Sequence, residues 1–319
     1  MIELGEQETL RKNPRIWTLL LAFCVMQAAG CITIKTRTEV KKEEIRPQLD
    51  SSEDDLLAGY NKQVRAVQSL RASVDLIPST GTTYSGVIEE YHDVPGFILA
   101  QRPATVRVIG QAPVVAKNIF DMVADEKEFR IYIPSKNSFL VGPTALIRPS
   151  KKPLENLRPQ HIVEALFWPE LPPSANVLFE QFDFNVSRYY ILTLLRQRET
   201  GRFQIARKIW YSRTDLLVSR VQLFGAEGKL ESDIAYSDWQ VVPADPGAPA
   251  ADQPKFARDI HIWRPQDDYK LEIKVLRLTL NEAITPDKFE LEQPAGTDLV
   301  RVGDEPSAAK SGAQSEPQR

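Results

Sequence analysis

Hydrophobic and polar positions follow several distinct patterns along this chain, and the changes of pattern mark its elements. Residues 16–25 (IWTLLLAFCV) carry no charge and are apolar except for Thr18, with Arg11, Lys12 and Arg15 before them and the small residues Ala28, Ala29 and Gly30 after. Residues 32–52 carry charges of both signs, include Pro47 and show no period. Such a segment predicts a flexible tether with a mean span of roughly 25 Å for a coil of about twenty residues. At Ser51-Ser52-Glu53-Asp54-Asp55 a serine stands ready to cap exposed amides, with acids in the first turn,. Leu56, Tyr60, Val64 and Val67 then recur at helical spacing, with Leu57 and Leu70 beside them. The pattern predicts an amphipathic helix over 53–69, covering a sheet.

From Leu70 the period shortens to that of strands, bounded by turn groups such as Ser79-Thr80-Gly81, Pro95-Gly96 and Pro134–Asn137,. Strands are expected at 71–77, 84–91, 97–101, 104–110, 114–124, 128–133 and 137–141. A helix interrupts them over Arg158–Trp168: Pro159 suits its first turn, Ile162, Val163, Leu166 and Phe167 form its apolar face, and Pro169 stops it,. Strands resume at 177–184, 188–196, 202–211, 216–224, 230–240, 256–263 and 268–280, and the Pro- and Ala-rich stretch 242–254 reads as a long hairpin loop. The expected class is mainly β (α+β), a large curved antiparallel sheet or incomplete β-barrel with covering helices. The organisation that follows is a signal peptide over 1–30, a modified cysteine and tether over 31–52, one domain over 53–300, and a disordered polar tail over 301–319,.

The ten-residue apolar run is shorter than the roughly 20 residues that span a bilayer, and its basic flank fits an export signal. Ala28-Ala29-Gly30-Cys31 resembles a lipobox, which implies cleavage before Cys31 and acylation of its thiol. Cys24 competes poorly, because bulky Phe23 precedes it. An ordinary signal peptide or an uncleaved anchor is the alternative. Several acyl chains make such an anchor stable where one does not. Ile32 follows the cysteine where an inner-membrane retention signal would have aspartate, so the resemblance points to the outer membrane, facing the periplasm.

The chain has 319 residues, 42% hydrophobic and 26% charged, with a formal net charge of −3. That is ordinary globular composition, and it lacks the basic excess nucleic-acid binding requires. Loss of residues 1–30 would leave one cysteine and no internal disulfide,. His92, His161 and His261 are far apart, without metal-ligand spacing, and no cofactor is expected,. No GxSxG, GxxxxGK[ST] or GxGxxG motif occurs, so no catalytic residues are nominated and no enzyme is expected,. The adjacent acids Glu89-Glu90 and Asp267-Asp268 read as solvated charges,.

Tyr189–Leu195 and Val275–Leu280 are apolar on both faces. A sheet with water on one side should alternate, so both faces are expected to be covered. In a curved sheet the inner cover is either an apolar ligand in a cavity or a helix that fills it; both stay open. Candidate cavity or lid residues are Leu57, Tyr60 and Val64 on the first helix and Leu166, Phe167 and Trp168 on the second. Phe120, Ile131, Phe139, Leu192 and Trp210 join them from the strands.

The order of lipobox, tether, amphipathic helix, many strands and an interposed helix resembles the Lol-type lipoprotein carriers and receptors of the bacterial envelope. Arg102-Pro103-Ala104-Thr105-Val106-Arg107-Val108, Phe129–Pro134 and the closing Ile284-Thr285-Pro286-Asp287-Lys288-Phe289-Glu290-Leu291 are similar to segments of that superfamily. Asp125–Glu128 stands where its members often have Asp-Gly. The resemblance implies a half-barrel lidded by helices that binds the acyl chains of lipids or lipoproteins. The membrane, through the N-terminal lipid, and an envelope protein are the implied partners. Anchorage favours a receptor over a soluble carrier. A structural or accessory subunit without a cavity is the second reading, and an anchored hydrolase lacking a known motif the third.

Overall fold

In a computed structural model, the structure describes residues 47–80, 89–90, 93–115, 117–145, 158–184, 187–244, 247, 249 and 253–302. The export segment, Ala28–Cys31, most of the tether, the expected strand 84–91 apart from Glu89–Glu90, and the tail beyond Val302 lie outside them.

Helix α1 spans Glu53–Ala66, three residues shorter at its end than the periodicity predicts. Its N-cap is Ser52, whose Oγ accepts from the Asp55 amide at 3.1 Å, satisfying one of the donors a helix start leaves unpaired. The chain then runs through β1 (Ser69–Thr80), β2 (Glu89–Glu90), β3 (Val94–Gln101), β4 (Thr105–Gln111), β5 (Asn118–Ala124), β6 (Glu128–Ile133) and β7 (Ser138–Pro143). Helix α2 (Pro159–Leu166), with proline at its first position, precedes β8 (Asn176–Phe184), β9 (Ser187–Gln197), β10 (Phe203–Ser212), β11 (Val218–Phe224) and β12 (Leu230–Val241). β13 (Lys255–Arg264), β14 (Tyr269–Leu280) and β15 (Asp298–Arg301) complete the order.

Among the described residues these strands form one curved sheet that does not close on itself. It consists of two meanders joined at their first and last strands. β1 pairs antiparallel with β14 from Leu70↔Leu280 to Thr80↔Tyr269. From β1 the sheet continues through β3 to β7, and from β14 back through β13 to β8. Register shifts interrupt several ladders, among them β1/β14 at Ser73/Val74, β9/β10 at Ile205/Arg207 and β10/β11 at Trp210/Tyr211. Bulges of this kind bend strands and raise their twist, which curls a wide sheet.

The predicted strands agree with the observed ones, apart from the stretch outside the described residues. The 242–254 stretch is the expected hairpin connection, pinned at its base by the Val242 amide donating to Pro254 at 2.9 Å. Two differences have physical causes. Val114 and Val115, though β-branched, stand 94% and 69% exposed in a turn, because the Ala112 amide donates to the Lys117 carbonyl and closes the chain there. β15, parallel to β7 and wholly exposed, is a strand that alternation does not reveal, because it has no buried face.

The main core lies on the inner face. Leu70, Val74, Ile98, Val106, Leu192, Ile209, Ile234, Ile262 and Ile273 project there, all nearly inaccessible, and meet α1 and α2. The outer face of the first meander is covered by its own C-terminal segment. Arg107 donates from Nη1 to the Lys288 carbonyl at 2.9 Å and makes a two-pronged ion pair with Asp121, at 3.0 and 2.7 Å. Phe139, Val123 and Leu291 form a second, small cluster there, with Phe289 against it. The outer face of the second meander has no such cover among the described residues.

Candidate functional site

The two helices meet over the inner face through aromatic rings. α1 turns Leu56, Tyr60 and Val64 toward the sheet. α2 ends at Phe167, whose amide returns to the Val163 carbonyl at 2.8 Å, and the extended chain beyond swings Trp168 over α1. Tyr60 and Trp168 stack with centroids 5.4 Å apart and planes at 12°, while Tyr236 meets Trp168 edge-on at 5.3 Å. Their polar ends are all engaged. Trp168 Nε1 donates to the Tyr236 hydroxyl, which donates to the Ala165 carbonyl, both at 2.9 Å, and Arg207 donates to the Tyr60 hydroxyl at 3.1 Å. Burial raises the phenol pKa values of Tyr60, Tyr211 and Tyr236, so these groups stay neutral,. Asn61 clamps the segment after α2, donating to the Leu171 carbonyl and accepting from its amide, each at 2.9 Å.

Between α1, α2, β12 and β13 this packing leaves a void of about 30 Å³, room for a water molecule and not for an acyl chain. Of the two sequence alternatives, the helix-filled interior is the one this region adopts. Alongside it, on the outer flank of α1, a groove of about 350 Å³ opens to solvent. Its walls are Leu56, Gly59 and Tyr60 from α1, with Leu217, Val218 and Trp239 opposite, and Lys62 and Lys255 stand at its rim. Gly59 borders the groove and has nothing within 4 Å of where a Cβ would sit.

The predicted cavity residues divide into groups. Tyr60, Val64, Leu166, Phe167, Trp168 and Leu192 are brought together in the core under the helices, with Leu57 half-buried against it. Ile131 and Phe120 lie on the same face toward β5 and β6; the Phe120 ring occupies the space that a Cβ on Gly110 would need. Phe139 and Trp210 project from the opposite face, and neither lines the interior. One residue's shift along a strand reverses its facing, and apolar neighbours on both parities, Leu140 beside Phe139 and Tyr211 beside Trp210, conceal it,. Cys31 and the Ala28–Gly30 lipobox lie outside the described residues. Sequence reasoning missed Tyr236 and Trp239, which complete the aromatic cluster; alternation at Ile234 and Tyr236 carried the first, whereas Trp239 has the opposite parity and reaches that side only through the left-handed backbone of Asp238, φ 51°.

A charged cleft of about 670 Å³ lies at the far end of α2, lined by His161, Glu164, Arg264 and Asp267 among others. His161 is 5% exposed, its ring stacks on Tyr269, and its Nδ1 hydrogen-bonds the Tyr269 hydroxyl. Burial first, then Arg264 and Arg158, hold its pKa well below the ordinary value. Arg264 reaches Asp267 at 2.8 Å and Glu164 at 3.4 Å. The network ties α2 to the β13–β14 corner, with His161 buried beside it. Among the described residues no group of His, Cys, Asp and Glu could hold a metal ion, and no helix is long and apolar enough to cross a membrane.

No protein-family model and no curated protein matches the chain. Solved structures do. A DUF1329 family protein from Desulfovibrio piger aligns at a TM-score of 0.49 and 12% identity, over 74% of this chain and 95% of that one. A LolA superfamily protein from Nitrosomonas europaea aligns at 0.43 and 9%, over 76% and 99%. A domain assigned to outer-membrane lipoprotein sorting, from Vibrio parahaemolyticus, aligns at 0.43 and 11%, over 73% and 94%.

Proposed function

We propose that this chain is an envelope lipoprotein, anchored through lipid on Cys31 at the outer membrane, that receives an acyl chain of a lipid or lipoprotein in the groove beside α1. The observation that carries this reading is the groove itself. Its volume of about 350 Å³ falls in the range of small-molecule sites, roughly 300–1,000 Å³. Burying a few hundred Å² of acyl surface at about 25 cal/mol per Å² contributes several kcal/mol before ordering costs. Tyr60 and Trp168, which stack on each other, both border it, so an acyl chain would lie beside the joint between the helices. No reacting group is needed for such holding, in keeping with a binding protein and not an enzyme. The tether to Ser52 keeps the groove within reach of the membrane, and the protein partner is another envelope component.

The filled interior favours a second reading, a structural or accessory subunit that uses the scaffold without cargo. Organic extraction of the purified mature protein followed by mass spectrometry separates the two. Acyl lipid should co-purify with the wild type, and Gly59→Phe, which places a ring in the groove, should lose it. Lipid-free wild-type protein that also fails to bind a fluorescent fatty acid would sink the acyl reading. Cys31→Ser should abolish processing and lipid attachment; a variant still anchored at its mature size would remove the anchor.

A further inference from the structure

The outer face of the second meander carries a built groove that the acyl-binding reading does not use. β12 runs along its floor, where Ala235 is exposed and paired between Arg220 of β11 and His261 of β13. Strands lie about 4.8 Å apart, so the flanking backbones stand roughly 10 Å from each other. Ala235 sends only a methyl group into this trench, while long side chains rise on both sides. The resulting space is about 610 Å³.

One wall is an aromatic block. Phe182 and Tyr189 meet Trp210 edge to face, with centroids 5.6 and 5.5 Å away, and the Arg220 guanidinium lies 5.6 Å from the Trp210 centroid. The other wall is Trp263 with His261. Beneath them the polar groups are fixed before any ligand arrives. Arg220 forks onto the buried Asp233, donating from Nε at 2.6 Å and also from Nη2. Gln222 accepts from Trp210 Nε1 and donates to Asp233, each at 3.2 Å.

Three features define what fits. The backbone groups of the floor are spent in sheet ladders, so a ligand can be read by side chains alone, which disfavours an extended peptide. Arg220 is neutralised by Asp233, and His261 has Glu272 at 3.8 Å, so the site lacks the uncompensated positive charge that phosphates need. An acyl chain would strip water from this ion pair without replacing it. A ligand with apolar C–H faces and a rim of neutral hydroxyls meets every condition: its faces lie on indole rings and its hydroxyls reach the outer edges of Arg220 and His261. We propose that this groove binds a saccharide, in the envelope the glycan of the cell wall or the core sugars of lipopolysaccharide.

The test is titration of the full mature protein, with Trp210 and Trp263 indole signals followed by NMR. N-acetylglucosamine tetramer is added in one arm and delipidated lipopolysaccharide core oligosaccharide in the other. Binding in either arm should move both indole signals and names the source. Ala235→Trp, which fills the trench from its floor, should weaken binding at least about tenfold. Trp263→Ala should weaken it similarly. Unmoved indole signals in both arms up to about 10 mM saccharide, or undiminished affinity in a folded Ala235→Trp protein, would overturn the proposal.

Discussion

The two meanders of the sheet share one inner layer and differ on the outside. On the first, the chain's own C-terminal segment lies over β4 to β7, held by Arg107 and sealed by Phe139, Val123 and Leu291. On the second, the outer face is open among the described residues and lined by Trp210, Trp263 and the Arg220–Asp233 pair. Apolar residues on both faces of a strand therefore mean two things in one molecule. They mark a face covered by the C-terminal segment in one wing and, in the other, a face whose own side chains bury Ile191 and Thr193 beside a recessed groove. Val275–Leu280, the other run apolar on both faces, follows neither pattern. The ladder shifts register there, and Leu276 simply points to water at 58% exposure.

The strongest way to break the comparison is through the layer both wings share. Trp168 contacts Tyr60, Tyr236 and Trp239, and Trp168→Ala should lower stability by about 3–5 kcal/mol through cavity formation and loss of the Tyr236 hydrogen bond. Denaturant unfolding followed by circular dichroism measures this, and both wings should unfold together. A smaller, asymmetric effect is expected outside. Leu291→Ala removes a seal of the first wing and should cost about 2–3 kcal/mol, while Ala235→Ser on the open wing should change stability by no more than about 0.5 kcal/mol. Equal costs would mean that the second face is covered in solution.

His161 gives the comparison a pH dependence, since it joins α2 to Tyr269 on β14. Its folded pKa lies well below the ordinary 6.5, so below pH 6.5 the unfolded chain takes up a proton that the folded one refuses. Stability should then be level above that pH and fall as pH drops beneath it, by up to about 1.4 kcal/mol per pH unit from this group. Unfolding curves at pH 7.5, 6.5 and 5.5 test it. His161→Phe should lose stability at pH 7.5, through the unpaired Tyr269 hydroxyl, and show a shallower fall on acidification.

Most of this architecture was legible because each element obeys a local rule. Ser52 before three acids fixed the start of α1, Pro159 that of α2, and alternation the strands. What stayed hidden depended on distance or parity. Phe139 and Trp210 look like core residues in sequence, yet each faces outward, since a strand's facing is set by its partners. The filling of the interior depended on Trp168 reaching Tyr60, more than a hundred positions away. The groove beside α1 is bordered by Gly59, which in sequence is only a weak spot in a helix.

That glycine supplies the smallest prediction. Gly59 sits mid-helix with open space where a Cβ would be, so Gly59→Ala should raise stability by roughly 0.5–1 kcal/mol by restricting the unfolded chain. A residue that leaves such a gain unused calls for another role, and the groove it borders provides one. In a parallel measurement, fatty-acid affinity should fall slightly with alanine and vanish with phenylalanine, while stability rises or holds. The two quantities moving in opposite directions would tie Gly59 to binding. A gain in stability with unchanged affinity across the series would leave the groove a feature of the fold alone.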